Sequence, residues 1–539
     1  MNINIIGAGL AGMSAAITLA KQNIPCNLIS LMPSERAQSV LAEGGINGAL
    51  DTMGEDDNTE NHYNDTIKAG VFIADREAVY GLTANAPGII RELARLGVPF
   101  NMTDGDIRQR NFGGQKKKRT AFAKSSTGKI IMSALTDECR RWEAKGLVTR
   151  YPHHELIRLK LTDPLQSEDG EKTCLGAYIL DTYSGKCSYF PGIVILAFGG
   201  LNGFFPHKTT GTTPNTGSAA ARIFCQGVRY ANLEMIQYHP TTMGIAGKRC
   251  LVSEAARGEG GRLFIERNSS PWYFMEELHP ELGNLSPRDV VSREMYFVSH
   301  RSDCADQVYL DMRHLPEDVW KNRLPDLREE IMHYLGLDPK DTPVPVTPGI
   351  HYFMGGIDVD KSHRTNVSRL FAAGECCMQY HGANRLGGNS MLGAIYGGRV
   401  AAESAAELSG VCAEDPARDQ SCSLNDIDVR EPSPNVIREV SDIMTGSMGI
   451  VRNGRSMEEA LEQVIQISGR PEILPVDRER IWLIRAMILS ALYRKESRGA
   501  HYREDYPEGS DEYKGTVTAE YDGKNIITGF RAVPEEQER

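Results

Sequence analysis

Near its amino end the chain carries Gly7-Ala8-Gly9-Leu10-Ala11-Gly12, and no other stretch limits the possible fold as much. An apolar run, Asn2–Ile6, leads into it, an alanine-rich run, Leu10–Gln22, leads out, and Cys26–Ser30 follows as a second apolar run. That order predicts strand, tight turn, helix and strand, the opening of a βαβ unit. Glycines at these spacings permit the sharp turn and let the backbone approach a pyrophosphate, whose charge the helix N-terminus favours. The loop is a weak signal alone, but here all four pieces occur in sequence. The second strand ends at Ser30-Leu31, where many dinucleotide folds place an acid for the ribose. Other groups must then hold the ribose, which argues against soluble NAD as the ligand.

At 539 residues the chain has room for two to four domains. Hydrophobic content of 41% with 53 glycines fits a globular, turn-rich α/β protein. A net charge of −11 argues against nucleic acid as a main partner. The 11 cysteines include no C-x-x-C pair, so no iron–sulfur cluster and no metal site is expected in this chain. Adjacent Cys376 and Cys377 read as packed core thiols in a reducing cytosol. No secretion signal is read at the amino end, and the longest apolar run, Ile193–Phe198, is too short to span a bilayer. The expected location is cytoplasmic, with any contact at the inner face of a membrane made through a partner subunit.

Residues 63–97 and 127–145 carry helical periodicity, and Tyr183-Ser184-Gly185-Lys186 reads as a hairpin turn between Leu175–Leu180 and Cys187–Phe190. Ile193–Ala197 and Leu370–Ala373 each run into glycine and read as further buried strands. Strands of one sheet thus come from both ends of the chain. The expected organisation is a discontinuous Rossmann-like domain (1–238 and 348–430), an inserted capping domain (239–347) and a helical C-terminal domain (431–539). The last is read from Pro432–Ile450, Met457–Ile467 and Asp477–Leu492, with a charged tail from Tyr513 holding short strand-like runs. Lys116-Lys117-Lys118-Arg119 reads as a solvated surface run.

A second informative stretch is His381-Gly382-Ala383-Asn384-Arg385-Leu386-Gly387-Gly388-Asn389-Ser390. It joins an arginine able to fork onto a carboxylate to a glycine turn and a serine placed to cap the helix Met391–Leu408. With it, in order, stand AEGGINGA (42–49), NFGG (111–114), QYHPTT (237–242), SEAARGEGGR (253–262), PRDVVSRE (287–294), HYFMGG (351–356), AAGEC (372–376) and ESRGAHYR (496–503). On these segments the chain resembles the flavoprotein subunits of succinate dehydrogenase and fumarate reductase, with L-aspartate oxidase a cousin, from residue 1 to about 505.

The resemblance implies FAD as cofactor, lined by Gly7, Ala8, Gly9, Gly12, Ser30, Arg36, Gln38, Ser39, Gly44, Gly45, Glu375, Ser390 and Met391. It places a small dicarboxylate against Phe112, His239, Ser253, His351 and Arg385. Arg288 matches the family's catalytic arginine, and Glu254 and Arg257 its proton relay. The implied reaction is reduction of fumarate to succinate, reversible as succinate oxidation. L-aspartate oxidation, reduction of another unsaturated carboxylate, or a FAD-binding scaffold without turnover are the alternatives.

The chain departs from the family in places. Many relatives link FAD covalently through the histidine of R-S-H-[ST], whereas this chain has Arg36-Ala37-Gln38-Ser39, so noncovalent FAD and a bias toward reduction are expected. Ser253 stands where many members have threonine. The chain ends soon after Glu496–Arg503, earlier than typical complex II flavoproteins, so the expected donor is a soluble flavin, an iron–sulfur subunit or another redox protein. Against the oxidase reading, there is no acid between Asn111 and Ser126, and Leu386-Gly387-Gly388 replaces the cousin's L-A-S.

Overall fold

A computed structural model describes residues 2–124, 126–162, 172–409 and 429–534. Ile3–Ile6 pairs in parallel with Cys26–Ser30 on one side and Ile193–Leu196 on the other. Leu370–Ala372 and Val148–Pro152 add the outer positions of a five-stranded parallel sheet. Every residue of Ile3–Ile6 and Ile193–Leu196 is buried, as a sheet covered on both faces requires. Helix Leu10–Lys21 is apolar nearly all round and packs between this sheet and helices Thr127–Ala144 and Asn389–Ser409. The turn before it needs glycine at Gly7, which has φ +120°. A Cβ there would lie 2.1 Å from the Ala197 carbonyl oxygen, and one on Gly12 would lie 1.8 Å from that of Gly7.

A six-stranded antiparallel sheet forms the second body, in the order 248–251, 236–245, 344–353, 304–311, 262–267, 270–272. Helix Arg288–Ser299 packs on it, over an apolar core that includes Leu263, Phe274, Val291, Met295, Leu310 and Trp320. Phe112, from a distant segment, also packs into this core. The edges expected at 238/239 and 347/348 fall inside the paired strands Ile236–Ile245 and Val344–Phe353. His239 and His351 therefore ride on the ribbon that joins the two bodies.

The C-terminal helices are Pro434–Ser447, Gly454–Ser468 and Pro475–Tyr493. The expected edge near 430 follows directly on a stretch, 410–428, that lies outside the described residues. The segment after these helices is not separate. Gly515–Tyr521 pairs with Tyr230–Ala231 and with Ile526–Ala532, completing a sheet that also holds Gly356–Asp358 and Cys377–Met378. Arg494 anchors the junction through Glu234 (2.7 Å) and Glu496 (2.8 Å), all fully buried.

Three local expectations are corrected. The periodicity over 63–97 holds two helices, Thr59–Ala69 and Arg76–Arg95. Val71 and Phe72 take φ of +49° and +62° between them, and the Asp75 side chain starts the second by accepting from the Ala78 amide (2.9 Å). Ser390 is not a cap, because the helix already begins at Asn389, so the hydroxyl lies in the first turn. Arg119 is no surface residue: it is fully buried and pairs with Asp57 and Asp65, each at 2.9 Å.

Candidate active site

One continuous cleft of about 270 Å³ runs between the two bodies. At one end its walls are Gly7, Ala8, Gly9, Ser30, Arg36, Gln38 and Ser39; further along come Gly44, Gly45, Glu375, Ser390 and Met391. Phe112, His239, Ser253, Glu254, Arg288, His351 and Arg385 line the other end. Gly12 and Arg257 do not reach the cleft. Gly12 packs against Gly7, and Arg257 stands behind Glu254.

The first end suits a dinucleotide. Helix Leu10–Lys21 starts at the cleft from Gly9, which has no side chain to cap it. Ser39 Oγ accepts from the Leu10 amide (3.2 Å), and Gln38 Oε1 accepts from that of Thr212 (2.6 Å), which pins the 34–42 segment along the cleft. Glu375 accepts from the Phe353 amide at 3.1 Å, and burial pushes its carboxyl up to about 7. Gly44 lies against the Phe112 ring, so a Cβ there would come within 2.7 Å of it. Flat, glycine-floored and phosphate-friendly, this end fits FAD.

The other end is strongly cationic. Glu254 Oε2 takes Nη2 and Nε of Arg288 at 2.5 and 3.1 Å, and its Oε1 takes Arg257 Nη2 at 3.2 Å. Burial pushes the Glu254 carboxyl up, but the Arg288 and Arg257 guanidiniums overcome that and hold it at about 2. Arg385 has no carboxylate within ion-pair distance among the described residues, and its Nε is buried without a partner. It lies 4.4 Å from the centre of the Tyr352 ring. Burial and the neighbouring Arg288 pull it down to about 9, so it stays charged at neutral pH. Three guanidiniums (Arg257, Arg288, Arg385) against one carboxylate (Glu254) leave an excess of two positive charges.

His239 and His351 face each other with ring centres 5.2 Å apart. Burial first, then Arg288, pushes both well below the usual histidine range, so both are neutral. His239 Nε2 is buried without a partner, while Nδ1 meets the Thr241 carbonyl at 3.1 Å and the Thr241 amide at 3.3 Å. His351 Nδ1 meets the Thr210 hydroxyl at 2.8 Å. Ser253 lines the same wall, its oxygen 3.4 Å from the Ala255 amide.

Sequence reasoning missed Gln237, whose Oε1 accepts from Arg288 Nη1 (3.1 Å) while Nε2 donates to the Arg385 carbonyl (2.9 Å). A strand places residues two apart on one face, so Gln237 was readable from His239. Thr210, Thr212 and Tyr352 gave no such signal.

A dinucleotide turn on a parallel sheet, open to a cationic pocket beneath a second body, defines an FAD-dependent oxidoreductase. Residues 3–391 match the FAD binding domain family and residues 478–533 the fumarate reductase flavoprotein C-terminal family. The chain is 37% identical to the succinate dehydrogenase flavoprotein subunit of Bacillus subtilis, over 96% of this chain and 94% of that one. It is 32% identical to one of the subunits of the fumarate reductase (CoM/CoB) of Methanothermobacter marburgensis, over 96% of each. A variant of the E. coli quinol fumarate reductase chain FrdA superposes with a TM-score of 0.87 at 27% identity, covering 100% of this chain and 97% of that one. The chain belongs to the succinate dehydrogenase/fumarate reductase flavoprotein family. No described helix is long and apolar enough to cross a membrane.

Proposed function

We propose that the protein reduces fumarate to succinate, and runs the reverse oxidation more slowly. The observation that carries this reading is Arg385, a buried guanidinium that faces the cleft without an acidic partner. With Arg288 and Arg257 sharing the single carboxylate of Glu254, it leaves an excess of two positive charges, which a dianion neutralises. Arg385 forks onto one carboxylate. His239, anchored through Nδ1 on the Thr241 backbone, and His351, anchored through Nδ1 on the Thr210 hydroxyl, turn their rings to the substrate, and Ser253 adds a hydroxyl. Phe112 packs against the substrate's flat middle.

When bound, FAD supplies a hydride to one alkene carbon. Arg288 gives a proton to the other, so hydride and proton together convert fumarate to succinate. A guanidinium is a weak acid in water, and serves here because Arg288 and its partners are buried and Glu254 takes up and returns the proton, passed on from Arg257. Gly7, Ala8, Gly9, Ser30, Arg36, Ser39, Gly44, Gly45, Glu375, Ser390 and Met391 hold FAD noncovalently, and Gln38 lies beside it as an amide. The second body closes over the pocket and excludes water. Electrons come from a partner, an iron–sulfur subunit in the first instance. That partner also supplies any membrane contact.

The test is a comparison of both directions with artificial dyes on the purified holoprotein, alongside L-aspartate with oxygen and a panel of substituted enoates. Faster fumarate reduction than succinate oxidation is expected. Aspartate turnover rivalling fumarate reduction assigns the protein to the oxidase branch instead.

A further inference from the structure

Asn47 and Gln115 meet directly beneath the turn that carries Arg385. Both donate to the Gly387 carbonyl, Asn47 Nδ2 at 2.7 Å and Gln115 Nε2 at 2.8 Å. Gln115 Nε2 also reaches Asn47 Oδ1 (2.9 Å), and the Thr120 hydroxyl donates to that same oxygen (2.6 Å). Asn47 Nδ2 donates onward to Asn389 Oδ1 (2.7 Å), which His62 Nε2 approaches at 2.9 Å, and Asn389 Nδ2 donates to Thr66 (3.0 Å). Burial holds His62 down at about 3, so it is neutral and donates from Nε2. Asn47, His62 and Asn389 are fully buried.

The packing is as tight as the bonding. Gly388 has φ +82°, and a Cβ on it would lie 2.1 Å from Asn47 Oδ1. Only glycine lets the turn settle onto this amide. None of Asn47, Gln115 or Asn389 reaches the cleft.

Gln115 follows Phe112 by one short turn, its amide bonded to the Phe112 carbonyl (3.1 Å), and Gly387 follows Arg385 by two residues. One set of side-chain amides therefore fixes both loops at once. We propose that Asn47 and Gln115 are positioning residues that lock the Phe112 loop to the Arg385 turn, setting the distance at which a bound anion is gripped; this rests on the dicarboxylate reading of the site. Removing either donor leaves the Gly387 carbonyl with one of its two partners and unties one of the two loops from it, so the turn loosens against the Phe112 loop.

The experiment uses FAD-loaded wild type, Gln115→Leu, Gln115→Met, Gln115→Glu and Asn47→Ala. Backbone hydrogen exchange is read over 111–115 and 385–389, and succinate affinity from the flavin absorbance. In each variant, exchange in the two loops rises together, exchange in Ile193–Leu196 is unchanged, and the succinate dissociation constant rises about tenfold at unchanged FAD content. Gln115→Glu loosens the loops further as pH rises, because a protonated carboxyl can still donate to the Gly387 carbonyl and an ionised one faces two acceptors; Gln115→Met, which fills the same space without a donor, behaves like Gln115→Leu, and a merely space-filling role makes Gln115→Met silent. Asn47→Ser carries the test if Gln115→Leu does not accumulate. Loosening of one loop without the other overturns the proposal, as do variants with wild-type exchange and affinity. A wild type that ignores succinate while the variants still loosen both loops supports the positioning role and removes the dicarboxylate reading. A wild type that binds succinate, with variants indistinguishable from it, does the reverse.

Discussion

Arg288 and Glu254 form a charge-assisted fork onto a single oxygen, with Nη2 and Nε of the arginine at 2.5 and 3.1 Å from Glu254 Oε2. The arginine sits on a helix of the second body, and Glu254 directly precedes the short helix Ala255–Gly258. The other carboxylate oxygen is taken by Arg257, so in the proposed reaction a proton leaving Arg288 would be replaced along this one short route.

Glu254→Gln keeps the shape of that route and removes its charge. Turnover is expected to fall roughly 100- to 10,000-fold, with succinate affinity changed only a few-fold. Steady-state rates and flavin-monitored ligand titration together check this. Loss of affinity with normal turnover at saturation places Glu254 in binding instead. Because the carboxyl sits at about 2, it is ionised throughout the neutral range and contributes no inflection to the rate profile between pH 5 and 9. A depressed carboxyl stabilises the fold above its unfolded value near 4.5, and that contribution is lost as pH falls through about 2.

Arg385 is a charge held in the interior without an acidic partner, which the ligand-free fold tolerates at a cost. Arg385→Met is expected to weaken succinate binding by at least about 100-fold while raising the melting temperature of the ligand-free holoprotein. Arg385→Lys keeps the charge and loses the fork, so its affinity falls between the two. Calorimetry on both variants is the check; a lower melting temperature for Arg385→Met shows that the guanidinium stabilises the empty site.

Much of this architecture was legible because glycine and periodicity speak locally. The Gly7 turn, the strand at Ile193 and the helix at Thr127 each announce themselves within a dozen or so residues. The ribbon at 236–245 and 344–353 does not, since Pro240, Pro345 and Pro348 interrupt its alternation and its partners lie a hundred residues apart. Arg119 looked like the end of a surface run because Asp57 and Asp65, which bury it, lie more than 50 residues earlier. The Asn47–Gln115–Asn389 cluster left no trace, as buried amides resemble loop residues until a fold brings them together. At the site, cationic and ring side chains were readable from motif order, while their supports, Gln237 and Thr210, act across the chain.

Gln38 occupies the position at which a histidine links FAD in many relatives, and its side chain is already engaged with the Thr212 amide. An amide oxygen holding a backbone N–H offers no nucleophile. Acid or heat denaturation of the purified yellow protein is expected to release all flavin into the filtrate, with none left on the precipitated chain. Flavin that stays with the chain identifies a different attachment residue.

Glu375, which lines the cleft, is expected to couple cofactor binding to pH. Its carboxyl is pushed up to about 7 by burial, so the cofactor-free protein holds it protonated through most of the acidic range. A group raised in the fold stabilises fully below its unfolded value near 4.5, and that contribution is lost as pH rises through about 7. On the FAD reading, with Glu375 accepting from the ribose hydroxyls, binding is expected to reverse the preference, because a carboxylate accepts from those hydroxyls whereas a protonated carboxyl competes with them as a donor. FAD must therefore expel the proton below about pH 7, and its dissociation constant is expected to rise by up to about tenfold for each pH unit of acidification. Glu375→Gln removes the titration: FAD binds more weakly than to the wild type at pH 8, and with a nearly flat pH profile. Fluorescence-quenching titrations of FAD into the cofactor-free protein between pH 5.5 and 8.5 decide the matter. A wild-type profile as flat as that of the variant places the Glu375 carboxylate away from the ribose.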